Sequence, residues 1–228
     1  MDPSCTCELC ELKGLFFENL EGDQLDMICS GKVEKEFSQG ESIIKEGTMI
    51  KDFVYLKSGL VKLFRSDSNG KEQIISISKP FDYVSLLSVF SNDQYNYSVS
   101  ALEDSVTCNI KMEDIRSIAS DNGNLALNLL KRMSKVADKI ILDSLAIRTK
   151  HLRGRVAFLL IYFSQDVYFS SEFDLPLSRK EMAEYVGMTT ENVIRSLSEF
   201  RRDGILKIYG KTIHIVNMDT LKSIAEFG

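Results

Sequence analysis

At 228 residues the chain has room for two modest domains, each able to bury a core of its own. The net charge of −5 excludes a protein coated in basic surface, yet it hides a division. From Arg148 onward 12 Lys and Arg stand against 10 Asp and Glu, or +2, while the first 147 residues hold 16 against 23, or −7. No stretch approaches the roughly 18 uninterrupted apolar residues of a membrane span and no signal-peptide pattern opens the chain, so a cytoplasmic protein is expected.

The first ten residues, MDPSCTCELC, carry three of the five cysteines, Cys5, Cys7 and Cys10. Leu15, Phe16, Phe17 and Leu20 then open the folded part. A short helix is expected around Gln24 to Cys29, with Cys29 as a small core residue. From Val33 to Cys108 short alternating runs such as VYLKSGLVKLFRS and QIISISK are punctuated by Gly40, Gly47, Gly59 and Asn69-Gly70. They predict about eight antiparallel strands closed into a small β-roll, a body that often encloses a ligand.

Met112 begins the helical part, and from Leu125 to Thr149 nothing interrupts a helix of about seven turns. Leu129, Met133, Val136, Ile140, Asp143 and Ile147 follow a spacing of three and four, the seam of a parallel homodimeric coiled coil. The competing reading packs this helix lengthwise on the roll of its own chain. His151 to Ser164 reads as a further amphipathic helix, with Val156, Leu159, Leu160 and Phe163 turned inward, and Phe169 to Leu177 as an edge strand or loop.

Ser178 and Glu181 have capping-box spacing, which opens a two-turn helix that Gly187 ends. Thr189 then caps a second helix, with Val193, Leu197 and Phe200 on its inner face and Gly204 at its end. Thr190, Glu191, Ile194 and Arg195 share the opposite face, which suits the reading of a DNA groove; the alternative is an ordinary helical hairpin with a solvated side. Alternating residues on both sides of Tyr209-Gly210-Lys211 predict a hairpin, completing a winged helix with Lys207 and Lys211 near a phosphate backbone. The DNA-binding set is thus Ser178, Thr189, Thr190, Glu191, Ile194, Arg195 and Lys211. The fold class is α+β, with a tail and β-roll over 1–111, a dimerisation helix over 112–149 and a winged helix over 150–228.

That order of parts, with QGESIIKEG, YLKSGLVKL, ALEDSVTCNI and VGMTTENVIRSLSEFRRDGIL, resembles the Crp/Fnr family of bacterial transcription regulators over nearly the whole chain. The resemblance implies a homodimer reading two-fold-related DNA half-sites, gated by a signal in the N-terminal half and touching RNA polymerase. It places Glu191 and Arg195 on bases, which agrees with their chemistry, since Arg pairs with guanine O6 and N7 and Glu accepts from the cytosine amino group. Thr190 and Ile194 depart from common family choices.

In cyclic-nucleotide-binding members a Gly-Glu pair holds the ribose and an Arg the phosphate. Ser85-Leu86 and Asn96-Tyr97 stand at those places here, so cyclic nucleotide binding is not expected. Cys108 occupies the place of the fourth ligand of the family's iron-sulfur oxygen sensors. With Cys5, Cys7 and Cys10 it makes four thiolates for an iron-sulfur cluster, although C-x-C-x-x-C is tighter than the usual arrangement. Zinc or thiol redox chemistry on the same residues, and reduced thiols with only a structural role, are the other readings. No phosphate loop, nucleophile elbow or dinucleotide fingerprint suggests an enzyme. A protein-binding adaptor without DNA binding is the alternative function.

Overall fold

A computed structural model describes residue 20 and residues 22–227. Cys5, Cys7, Cys10 and the expected opening at Leu15, Phe16 and Phe17 lie outside the described residues. Helix α1 (Asp23–Gly31) carries Asp23 and Asp26 in its first turn, where the helix dipole favours them, and buries Leu25 and Ile28. Cys29, expected in the core, is half-buried and disulfide-bonded.

Seven strands follow: β1 (Val33–Phe37), β2 (Ser42–Ile44), β3 (Asp52–Ser58), β4 (Val61–Ser66), β5 (Glu72–Ser78), β6 (Ser98–Ala101) and β7 (Ser105–Lys111). They form two antiparallel sheets, in the orders β1-β7-β3 and β2-β6-β4-β5, over a core that includes Phe53, Leu56, Val61, Ile77, Val99 and Ile110. The count falls short of eight because residues 79–97 form turns and two isolated bridges, Tyr55 to Tyr83 and Met49 to Gln94, in place of a strand. Gly59 makes the tight β3–β4 turn at φ 88°, and a Cβ there would sit 2.5 Å from the Asp104 carbonyl oxygen. No residue but glycine fits both demands.

Two helices continue the chain, α2 (Met112–Asp121) and α3 (Gly123–Thr149). The 27 residues of α3 make it the longest, and no described helix is long and apolar enough to cross a membrane. Leu129 and Ile147 of the expected seam are buried in their own chain, 3% and 8% exposed, and Met133, Val136, Ile140 and Asp143 are half-buried. The apolar residues that α3 leaves in solvent are Leu127, Leu130, Ile141, Leu142 and Leu145. An intrachain core and an intermolecular seam both select apolar residues at helical spacing, so the period alone did not say which stripe faced which way.

The chain divides into two compact units, the described residues to Arg65 with Ile77–Lys139, and Ser66–Ser76 with Ile140 onward. The second contains α4 (Leu152–Tyr162), a π-helical turn (Phe163–Val167), β8 (Glu172–Asp174), α5 (Arg179–Val186), α6 (Thr190–Arg202), β9 (Leu206–Tyr209), β10 (Thr212–Ile215) and α7 (Met218–Phe227). Its sheet runs β8-β10-β9, so Phe169 to Leu177 does contribute an edge strand. Helix α7 was not expected from sequence; it packs Leu221 and Ala225 against α4.

Candidate nucleic-acid interface

The reading head is built by local capping. The Ser178 hydroxyl accepts from the Glu181 backbone N–H at 3.2 Å, and the Glu181 carboxylate accepts from the Ser178 N–H at 2.9 Å, so two donors that helix geometry leaves orphaned are both satisfied. Helix α5 ends at Gly187, whose left-handed backbone (φ 65°) turns the chain within three residues into α6. Thr189 caps that helix, accepting from Asn192 N–H at 3.3 Å. Burial of Val193, Ser196, Leu197 and Phe200 then fixes which way α6 rolls.

The opposite face is open to solvent. Glu191 and Arg195 are exposed, Ile194 is 50% exposed and Thr190 is half-buried. The Glu191 carboxyl is held below the usual carboxylate range by its own backbone N–H and by the Thr189 hydroxyl, which keeps it an acceptor. Arg195 donates from Nε to the Glu199 carboxylate at 3.1 Å. Beside α6 the β9–β10 hairpin turns at Gly210 (φ 63°) and carries exposed Lys207, Tyr209 and Lys211. The structure therefore brings Ser178, Thr189, Thr190, Glu191, Ile194 and Arg195 onto one helix-turn-helix with Lys211 on its wing.

Two residues outside that set hold the head in shape. Arg155 of α4 donates from Nη1 to the Val186 and Gly187 carbonyls at 3.3 and 3.2 Å, and from Nε to the Lys150 carbonyl at 3.0 Å. Arg153 lies over the Phe200 ring at 5.1 Å and pairs with Asp203 at 2.8 Å and with Glu199 at 3.6 Å. Only the i,i+4 spacing of Arg195 and Glu199 was readable in sequence; the roles of Arg153 and Arg155 depend on how α4 packs.

In the roll, Ser85 is fully buried, and its hydroxyl accepts from the Val54 N–H at 2.8 Å and donates back to the Val54 carbonyl at 3.2 Å. The Tyr97 hydroxyl donates to the Val84 carbonyl at 3.1 Å and that of Tyr95 to the Asp52 carbonyl at 3.0 Å. Burial pushes the phenols of Tyr83, Tyr95 and Tyr97 up, Tyr95 to about 12. Leu86 is buried and Asn96 exposed. Cys108 lies 1% exposed on β7, opposite Glu34 of β1 and Tyr55 of β3. Helix α1, which begins at Asp23, thirteen residues after Cys10 in sequence, packs on this same strand. Among the described residues no group of three or more His, Cys, Asp or Glu is placed to hold a metal.

Residues 34–122 match the model of the cyclic nucleotide-binding domain and residues 154–224 that of the Crp-like helix-turn-helix domain. The fumarate and nitrate reduction regulatory proteins of Salmonella typhimurium and of Escherichia coli K12 are each 30% identical over 209 residues, covering 90% of this chain and 82% of theirs. The chain belongs to the Crp/Fnr family. Among solved structures, FixK2 from Bradyrhizobium japonicum superposes with a TM-score of 0.77 at 23% identity, over 85% of this chain and 96% of its own. A Crp/Fnr transcriptional regulator from Eubacterium rectale gives 0.78 at 19% identity over 92% and 97%, and these two share the fold. The Crp/Fnr architecture accounts for the order of parts seen here, an N-terminal β-roll, a long helix and a C-terminal winged helix-turn-helix, in a DNA-binding transcription regulator.

Proposed function

We propose that the chain is a homodimeric, sequence-specific transcription regulator whose α6 enters the major groove, with a sensor over 1–111, a dimerisation helix over 112–149 and a reader over 150–228. The observation that carries this reading is a capped, well-buttressed helix whose outward face is made of Glu191, Ile194 and Arg195. Arg195 reaches a guanine, Glu191 accepts from a cytosine amino group and Ile194 meets a thymine methyl. Ser178, Thr189, Thr190 and Lys211 contact the phosphate backbone and set the register.

Two copies associate through the solvent face of α3, where five of the fifteen large exposed apolar residues of the described chain fall, rather than through the seam read from sequence. Parallel association delivers two reading heads to half-sites about one helical turn apart, and their linkage multiplies modest affinities. RNA polymerase is the further partner and the cytoplasm the place of action.

For the signal, the self-satisfied hydroxyls of Ser85 and Tyr97 speak against a cyclic nucleotide. In the reduced protein, with the Cys29 disulfide open, Cys5, Cys7, Cys10 and Cys108 would hold an iron-sulfur cluster, the buried Cys108 thiol lying on the strand against which helix α1 packs. Such a cluster supplies sensitivity to oxygen.

The decisive experiment is selection of bound sequences from randomised two-fold-symmetric DNA at one fixed salt concentration, for the full chain and for Arg195→Ala. A two-fold motif whose guanine preference disappears in Arg195→Ala is the expected result. Absence of any salt-dependent DNA binding would favour the protein-binding adaptor, and DNA binding without sequence preference would refute the sequence-specific reading.

A further inference from the structure

The contact between Arg195 and Glu199 has a cost that needs an account. A carboxylate next to a DNA-facing surface repels phosphate, and an exposed i,i+4 ion pair contributes little to helix stability. Yet Glu199 is not a loose surface group. Its side chain is 19% exposed, against 79% for Arg195, and its second oxygen lies 3.6 Å from Arg153 Nε. Arg153 is itself fixed, stacked over Phe200 at 5.1 Å and hydrogen-bonded from Nη2 to Asp203 at 2.8 Å. The chain of contacts runs from the buried Phe200 through Arg153 and Glu199 to the reading residue.

We propose that Glu199 is a positioning residue for base readout: by accepting the Nε–H of Arg195 it sets the plane of the guanidinium and leaves the Nη1 and Nη2 edge as the only fork available to a base. A guanidinium has five N–H donors and several ways of presenting two of them. Engaging Nε removes the side-on presentation, so the end-on fork meets guanine O6 and N7 without first losing its rotational freedom. Water leaves the groove on binding, and the Glu199–Arg195 pair strengthens there because its dielectric surroundings fall. Glu199 thereby makes the preference for guanine sharper while lowering the affinity for DNA in general.

This rests on Arg195 as the base reader, and the test separates the two claims. Full-length wild type, Arg195→Ala, Glu199→Ala and Glu199→Gln are compared on the selected site, on the same site with the guanine replaced, and on unrelated DNA, all at one salt concentration. Glu199→Ala is expected to lower the preference for guanine by about 3- to 10-fold, a part of what a bidentate contact supplies, while binding to unrelated DNA stays equal or rises. Glu199→Gln, which loses the charge but keeps an acceptor for Nε, is expected to retain most of the preference. Unchanged preference in Glu199→Ala, with the preference lost in Arg195→Ala, overturns the positioning role and leaves the base reading intact. Equal losses in the Ala and Gln variants overturn it too, since charge and not geometry would then be acting. An unaltered preference in Arg195→Ala removes the base reading itself and the positioning role with it.

Discussion

Leu145→Ala tests which face of α3 meets the second copy. Leu145 is 53% exposed in the single chain, so about half of its side chain is left to bury on association. Full burial of a leucine contributes roughly 1.5–3 kcal/mol, so each copy loses about 0.75–1.5 kcal/mol and a symmetric dimer about 1.5–3 kcal/mol. At about 1.4 kcal/mol per decade this raises the dimer dissociation constant roughly 10- to 150-fold. Sedimentation equilibrium over a concentration series reads that shift, and urea unfolding of the monomer serves as the control. Leu129→Ala, at a site 3% exposed, should instead cost about 2–5 kcal/mol of folding stability. The phenol of Tyr185 on α5 is pushed up by burial first and by the Asp143 charge second, so the carboxylate already acts within its own chain. Asp143→Leu should therefore leave the dimer constant unchanged, contrary to the mutual repulsion that the sequence seam implied. An undisturbed dimer in Leu145→Ala together with a tighter one in Asp143→Leu would return the interface to the seam read from sequence.

Ser178→Ala removes one half of a reciprocal cap and should lower stability by about 1 kcal/mol, read by urea denaturation, with no loss if solvent satisfies the Glu181 N–H equally well. Alkali should unfold the roll. The phenols of Tyr83, Tyr95 and Tyr97 are raised above their unfolded value near 10, so their contribution is complete below that pH and is lost as pH rises through the folded values, about 12 for Tyr95. With no tryptophan in the chain, tyrosinate absorbance follows this directly; all eight tyrosines titrating together near pH 10 with the fold intact would contradict it. Protein purified without oxygen should contain iron and acid-labile sulfide, lose both in air along with tight DNA binding, and lose them in Cys108→Ala. Colourless, metal-free anaerobic protein with a fully active Cys108→Ala would leave the cysteines out of sensing.

The winged helix was legible residue by residue because its signals are local. A cap, a left-handed glycine and an apolar stripe each act within one or two turns, and Ser178, Gly187 and Thr189 do what their spacing implied. The roll was legible as a class but not strand by strand, since residues 79–97 keep apolar alternation while their backbone pairs only through two bridges. The long helix shows the limit most sharply. Its extent was plain, but two apolar stripes compete on it, and only burial separates Leu129 and Ile147 from Leu127 and Leu145. Arg153 and Arg155 gave no signal because a guanidinium on an amphipathic helix reads as solvated until its neighbours are known.

Arg155 makes one more thing follow. A single rigid plane gathers the Lys150 carbonyl, just beyond the end of α3, and the Val186 and Gly187 carbonyls, inside the turn of the reading head. Guanidinium geometry does not stretch, so Lys150 and the turn are one mechanical part. A shift of Lys150 by even an ångström must either carry Gly187 with it or break bonds on one side of the plane. Whatever moves the end of the long helix is thus felt where α6 begins as a displacement of backbone, transmitted by a bracket only one side chain long.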